Sequence, residues 1–307
     1  MNTVKKYSGV VIPAVTPLTS DYKLDHGAVE RMFDHFHQSE VHPFILGTTG
    51  EATSFPFSTK IEFLQLAGRL KKNSDVLYAG ISANALAESV ALAKHSFDNG
   101  VNVVVATLPS YYALTESAML KYLEQLAENI QGPLMIYNIP ATTHMSIPLQ
   151  IIDKLSDHPN IVGIKDSERN EERLMQSIQL WKDRDDFSHF LGWAAKSAEA
   201  LLFGSDGLVP STGNFEPKIY ADLYKAAVEG DKNKAHYLQR LSDALGSLYQ
   251  QGRSLGESLW ALKVLMKEVG LCESYVIPPI YAQSQEEEIK LVKGLKEILK
   301  GEINNQT

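Results

Sequence analysis

One lysine stands where an apolar strand should have none. Residues 161–167 read Ile161-Val162-Gly163-Ile164-Lys165-Asp166-Ser167, and Lys165 interrupts a run otherwise suited to complete burial. Taking an ammonium out of water is costly, so a buried lysine gives up its proton more readily and becomes a nucleophile toward ketones. The residues alone leave a second reading open, in which Lys165 is a paired cation held by Asp166 or another carboxylate close by. Tyr137 ends a different apolar run, residues 133–138, just ahead of Ile139 and Pro140. Its phenol is a candidate proton shuttle to and from the carbinolamine that an amine forms with a ketone. The alternative is an aromatic plug over the core.

Four further segments could complete such a site. In Gly47-Thr48-Thr49-Gly50-Glu51 the flanking glycines let backbone N–H groups converge and the two threonines add hydroxyl donors, a nest suited to a carboxylate. A plain strand-to-helix turn would look the same. Tyr111 and Tyr112 follow another run and suit a binding rim, a subunit contact or simple loop packing. Trp193, after Gly192, and Ser211, within 207–214, are placed to shape the pocket for the rest of a substrate. The histidines give no metal pattern. His35 and His37 are two residues apart, a spacing that does not share a helix face, and no catalytic metal is expected.

All of these residues sit where short β-branched runs stop. The runs are 10–16, 43–46, 76–81, 101–108, 133–138, 161–167, 187–193 and 207–212, and each is near-continuously apolar, as parallel strands buried on both faces are. Amphipathic stretches alternate with them. Residues 24–38 place Val29, Met32, Phe33 and Phe36 on one side; 59–71 turn Ile61, Leu64 and Leu66 to a core; 85–98 stop at Gly100; 117–130 and 148–155 follow the same pattern. Eight strands, each followed by a helix, imply an α/β chain closed into a (β/α)₈ TIM barrel, with active-site residues at the C-terminal strand ends. An open doubly wound sheet is the competing architecture, but no Gly-x-Gly-x-x-Gly follows the first strand. From about residue 217 the sequence turns strand-poor, with helices expected at 220–228, 232–249, 256–269 and 286–299 and a frayed polar tail over 301–307. The expected division is a barrel over 1–225 and a C-terminal helical extension over 226–307 packed on it.

Composition narrows the partners. Of 307 residues 37 are acidic and 29 basic, a net charge of −8 that disfavours nucleic acid and anionic membrane surfaces. The single cysteine, Cys272, allows no intrachain disulfide, which fits a reducing compartment. Lys5 and Lys6 precede a short apolar stretch, but that stretch contains Pro13 and meets Pro17, so it reads as a strand and not as a secretory segment. A cytoplasmic location is the expectation.

Two blocks resemble the dihydrodipicolinate synthase / N-acetylneuraminate lyase family of class I pyruvate-dependent aldolases. The first is Phe44-Ile45-Leu46-Gly47-Thr48-Thr49-Gly50-Glu51-Ala52. The second runs from Tyr137-Asn138-Ile139-Pro140 to the run that holds Lys165. The likeness extends from Gly9 into the helical extension. It implies that Lys165 is the Schiff-base lysine, that Tyr137 is the general acid/base, and that Thr48 and Thr49 hold the pyruvate carboxylate. It also implies that Tyr112 reaches the site of a neighbouring subunit in a homotetramer built as a dimer of dimers. The protonated imine would serve as the electron sink, so neither metal nor organic cofactor is needed.

Departures from the family pattern bear on the substrate. Dihydrodipicolinate synthases usually carry an arginine two residues after the Tyr-Asn-x-Pro block, for the second substrate's carboxylate; here Thr142 stands there, and a hydroxyl does not replace a bidentate guanidinium. Sialic acid lyases match at 137–141 and at Ser211, a sugar-binding serine, but have an acidic pair where this chain has Trp193, Ala194 and Ala195. The expected activity is therefore a Schiff-base aldolase or lyase joining or releasing pyruvate and an aldehyde, with a 2-keto-3-deoxy sugar acid as the substrate class. The alternatives are dihydrodipicolinate synthase, N-acetylneuraminate lyase, and a non-catalytic keto-acid-binding regulator.

Overall fold

The computed structural model describes residues 5–305. Among them eight strands, β1 (Gly9–Pro13), β2 (His42–Ile45), β3 (Tyr78–Gly80), β4 (Val103–Ala106), β5 (Leu134–Asn138), β6 (Ile161–Asp166), β7 (Ser188–Leu191) and β8 (Gly207–Leu208), pair in parallel and in chain order, with β8 returning to β1. The closed barrel expected from the eight apolar runs is thus the observed architecture, and the open sheet is excluded. Most ladders are shorter than the runs that encode them. The runs continue into loops that stay buried, and at the eighth strand residues 211–214 coil into a 3₁₀ turn in place of more strand.

Two apolar clusters hold the barrel. Inside it, Val11, Phe44, Tyr78, Val105, Met135, Tyr137, Phe190 and Val209 fill the lumen. Outside, the alternate strand residues meet the helices, among them Ile136 and Ile164 against the core-facing sides of the surrounding helices. This alternation decides the site. Met135 and Tyr137 face inward, their partners across the ladder are Gly163 and Lys165, and so Lys165 faces inward as well while Asp166 turns outward.

The helices are α1 (His26–Gln38), α2 (Phe57–Leu70), α3 (Leu86–Asp98), α4 (Glu116–Asn129), the single turn α5 (Pro140–Thr143), α6 (Leu149–Leu155), α7 (Glu171–Trp181), α8 (Ser197–Phe203), α9 (Pro217–Val228), α10 (Lys232–Gln250), α11 (Leu255–Glu268) and α12 (Gln285–Asn305). Helix α1 buries the predicted Val29, Met32, Phe33 and Phe36 and is capped by Asp25, whose side chain accepts from the Ala28 amide. Helix α11 opens with a capping box between Ser254 and Glu257. Helices α7 and α8, which the repeated strand–helix pattern requires, complete the ring, and α7 buries Leu174, Ile178 and Trp181 at helical spacing. The boundary expected at residue 225 falls inside the unbroken α9. The last helix runs to Asn305, so most of the expected tail is helical, and residues 306 and 307 lie outside the described residues.

At the opposite end from Lys165 the N-terminal segment is anchored by a charge. Lys5 donates to the carbonyls of Trp181 (2.8 Å) and Phe187 (2.9 Å) and to Asp206 Oδ2 (2.9 Å), so its side chain is a buried structural anchor.

Candidate active site

The barrel mouth opens into a cavity of about 990 Å³ lined by Thr48, Thr49, Tyr137, Lys165, Ser167, Glu168, Trp193 and Ser211 together with residues of α10 and α11. Six of the eight predicted site residues, Lys165, Tyr137, Thr48, Thr49, Trp193 and Ser211, therefore meet in one space. Two do not. Thr142 lies off the cavity, where its hydroxyl donates to the Ile139 carbonyl (3.4 Å) within the short α5 turn. Tyr112, with Tyr111, is exposed on the loop before α4, and the two rings meet edge-on at 4.9 Å. In the single chain Tyr112 is a surface group.

The amine of Lys165 is buried, with its Nζ 3.8 Å from the centroid of the Tyr137 ring and 5.0 Å from that of Phe44. No carboxylate pairs with it among the described residues. Asp166, the obvious partner in sequence, is engaged on the outer face: it accepts from Arg173 Nε (2.7 Å), Asn138 Nδ2 (2.9 Å) and the Glu168 amide (3.0 Å). The paired-cation reading of Lys165 is thereby removed by strand alternation. Burial holds the Lys165 pKa below the ordinary lysine value, and the neighbouring Tyr137 opposes that shift only in part.

The Tyr137 hydroxyl is reached by Ser167 Oγ at 3.5 Å. Ser167 was not among the sequence candidates, although its position two residues beyond Lys165, directly after the end of β6, continues the strand alternation onto the same face. Gly192 makes room for it, since a Cβ there would land on Ser167 Oγ. Asn138 ties β5 to β6 and to the loop that follows it. Its amide donates to both Asp166 Oδ1 and Glu168 Oε2 (3.0 Å), and its Oδ1 accepts the Ile147 N–H (3.0 Å).

The loop after β2 has the form of the nest expected from its glycines. Amides of Gly50, Glu51 and Ala52 close turns onto the carbonyls of Gly47 and Thr48, whereas those of Thr48 and Thr49 find no acceptor among the described residues. Two half-buried hydroxyls and two free N–H groups thus border the same cavity as the Lys165 amine. The loop is held in a costly shape, with positive φ at Leu46 (56°) and Glu51 (55°). What holds it is the Glu51 carboxylate, which accepts from the Ile277 amide (2.8 Å) and pairs with the buried Lys263 at 2.5 Å.

The sequence reading missed the outer wall altogether. Ser242, Asp243, Ser247 and Gln250 of α10 line the cavity, as do Glu168 and Arg169 of the loop after β6. These positions lie far along the chain from the strand ends, and nothing in their local pattern marks them. No group of three or more His, Cys, Asp or Glu side chains among the described residues is arranged to hold a metal, and no described helix is long and apolar enough to cross a membrane.

Comparison with known proteins agrees with this geometry. The model of the dihydrodipicolinate synthetase family matches residues 6–298. An uncharacterized DapA-like lyase of Thermococcus onnurineus is 31% identical over 296 residues, covering 95% of this chain and 99% of that protein. A probable 2-dehydro-3-deoxy-D-pentonate aldolase of Escherichia coli is 28% identical over 292 residues, covering 94% and 96%. Among solved structures, a dihydrodipicolinate synthase from Bacteroides thetaiotaomicron superimposes with a TM-score of 0.90 at 31% identity, covering 96% of this chain and all of that one.

Proposed function

Because the chain belongs to the dihydrodipicolinate synthetase family of aldolases and lyases, we propose that it joins or releases pyruvate and an aldehyde through an imine on Lys165. The observation that carries this reading is the buried amine without a carboxylate partner, 3.8 Å from the Tyr137 ring and open to the cavity.

The chemistry follows from the groups around it. Pyruvate enters with its carboxylate on the Thr48 and Thr49 amides and hydroxyls, which puts the keto carbon toward the Lys165 amine. The neutral amine adds to that carbon. Tyr137 supplies the proton that turns the oxygen into a hydroxyl, and water leaves to give the protonated imine. The imine withdraws electrons from the adjacent methyl, a proton departs, and the resulting enamine carbon attacks the carbonyl of the aldehyde. The aldehyde oxygen takes up a proton, and hydrolysis of the imine frees Lys165 and the keto acid. Run backwards, the same steps cleave the bond. The Ser167 hydroxyl gives the phenol a neighbour with which to exchange its proton.

For the aldehyde half, a 2-keto-3-deoxy sugar acid aldolase is the reading we favour. Thr142 supplies no guanidinium, and a relative with 28% identity is described as a probable 2-dehydro-3-deoxy-D-pentonate aldolase. One observation favours condensation with aspartate semialdehyde as a second reading: Arg169 borders the cavity and could take a carboxylate from a different direction.

Borohydride reduction in the presence of labelled pyruvate tests the core of the proposal. The wild-type chain should gain one stable adduct, located on Lys165 by peptide mapping, and Lys165→Arg should gain none and show no turnover. An adduct elsewhere, or none in the wild type, would sink the imine mechanism.

A further inference from the structure

The cavity extends well past the imine site, and the wall that α10 gives it is chemically specific. Its volume of about 990 Å³ is that of a site for a drug-sized molecule, far more than pyruvate fills. Within the outer part Asp243 is half-buried and has an unusual set of partners. Its Oδ1 accepts from Gln239 Nε2 at 2.8 Å. Its Oδ2 accepts no hydrogen bond, and no cation pairs with either oxygen among the described residues. A carboxylate has room for several donors, so this oxygen presents unused acceptor capacity to whatever occupies the cavity.

Asp243 is also held in place. Gln239 is buried and cannot turn away, because its Nε2 donates as well to the Ala194 carbonyl (2.9 Å) and its Oε1 accepts the Ala198 amide (2.8 Å). One glutamine thus stitches α10 to the segment after β7 and fixes the carboxylate beside it. Across the same wall runs a string of hydroxyls. Tyr249 accepts from Gln250 Nε2 (2.8 Å) and lies 2.7 Å from Ser211 Oγ and 3.0 Å from Thr212 Oγ1. A phenol has one proton to give, so at least one of Ser211 and Thr212 donates to it. Ser211, which borders the cavity, keeps lone pairs free to accept.

A fixed carboxylate and hydroxyl acceptors bordering one cavity match a chain of neutral hydroxyl groups. We propose that Asp243 is the residue that selects a hydroxylated aldehyde, by accepting hydrogen bonds from its distal hydroxyls, and that Gln239 is the positioning residue for that carboxylate. The inference rests on the imine reading of Lys165 and on the sugar-acid reading of its substrate, and adds the residues that select the aldehyde. Asp243 lies outside the proton-transfer machinery, so it sets affinity for the aldehyde and leaves capture of pyruvate alone.

The test compares D-glyceraldehyde with propanal, which has the same carbon count and no hydroxyls, as partners for pyruvate, with consumption of pyruvate as the readout. Asp243→Asn keeps the bond from Gln239 and replaces the free acceptor by an N–H donor. It should raise KM for glyceraldehyde by about tenfold or more, the range expected when a hydrogen bond to a charged group is lost. Its kcat/KM for propanal and its rate of borohydride-trapped pyruvate adduct should stay at the wild-type level, and the latter also reports that the variant is folded. Gln239→Leu should shift KM for glyceraldehyde in the same direction, without altering adduct formation. An Asp243→Asn variant that weakens both aldehydes equally, or neither, overturns the assignment. So does a wild-type enzyme that forms the pyruvate adduct yet reacts only with an amino-acid aldehyde such as aspartate semialdehyde, or with no aldehyde. Absence of the adduct in the wild type would strike the imine reading itself and is seen separately.

Discussion

Lys165 and Lys263 announce themselves in the same way and end in opposite states. Each is a lone lysine in an apolar run, Gly163-Ile164-Lys165 in one case and Ala261-Leu262-Lys263-Val264-Leu265 in the other. Both are buried. Lys263 meets three oxygens for its three protons: Glu51 at 2.5 Å, the Tyr275 carbonyl at 2.7 Å and the Thr16 carbonyl at 2.8 Å. Lys165 meets two aromatic faces and the phenol of Tyr137. A ring face offers a cation about 0.5–2 kcal/mol, much less than a desolvated ammonium needs. The first environment surrounds the amine with oxygens and through Glu51 braces a strained loop. The second withholds compensation, so the amine is driven toward the neutral form, the one that the proposed mechanism needs. What separates the two lysines is therefore not burial but the carboxylate and carbonyl partners that Lys263 has and that Lys165 lacks among the described residues.

The contrast can be broken most sharply at Lys165. Lys165→Met should lower kcat by on the order of 10⁴-fold or more, the loss seen when a covalent nucleophile is removed. It should also unfold at higher urea, gaining about 0.5–2 kcal/mol, because a strained functional group gives way to a side chain that suits the site. Lys263→Met should do the reverse. It leaves the buried Glu51 without its cation, at a cost of roughly 3–5 kcal/mol in urea unfolding, while whatever remains folded still forms the pyruvate adduct. If Lys165→Met proves the destabilised variant and Lys263→Met the neutral one, the assignment of roles is wrong.

How much of this was legible in the sequence follows from the same pair. Elements were readable because their signal is local. The apolar runs mark eight strands, and the ordered barrel follows from their alternation with helices. Lys165 and Tyr137 were findable because they sit at strand ends that the barrel brings side by side, register and all. The environment of a lysine was not readable, since the partner that decides it is non-local. Glu51 and Lys263 belong to different ends of the chain, and Asp166, the neighbour in sequence, turned out to face the other way. The outer wall was hidden for a similar reason: Asp243 and Gln239 look like ordinary polar positions of a surface helix until α10 is laid over the barrel mouth. Thr142 is the converse case. Family position put it in the site, but its local turn directs its hydroxyl to the backbone.

The finest measure of the contrast is the pH dependence of Lys165. Its folded pKa is lowered from 10.5 by burial. Between that lowered value and 10.5 the unfolded chain binds a proton that the folded chain lacks, so wild-type stability rises with pH across this window. Below the window both states are protonated and the penalty is constant. Lys165→Met has no such group, so its stability advantage should be largest at the acidic side and should shrink as pH rises, by up to about 1.4 kcal/mol per pH unit. On the proposed mechanism, capture of pyruvate depends on the same equilibrium, because only a neutral amine adds to a ketone. The initial rate of borohydride-trapped adduct should therefore climb with pH and level off, with its midpoint at the lower edge of the window that urea unfolding defines. Agreement of the two midpoints ties the cost in stability to the gain in chemistry at a single nitrogen. A midpoint at the ordinary lysine value, with a stability gap that does not move, would mean that Lys165 is as well solvated as any surface amine, and its difference from Lys263 would then say nothing about catalysis.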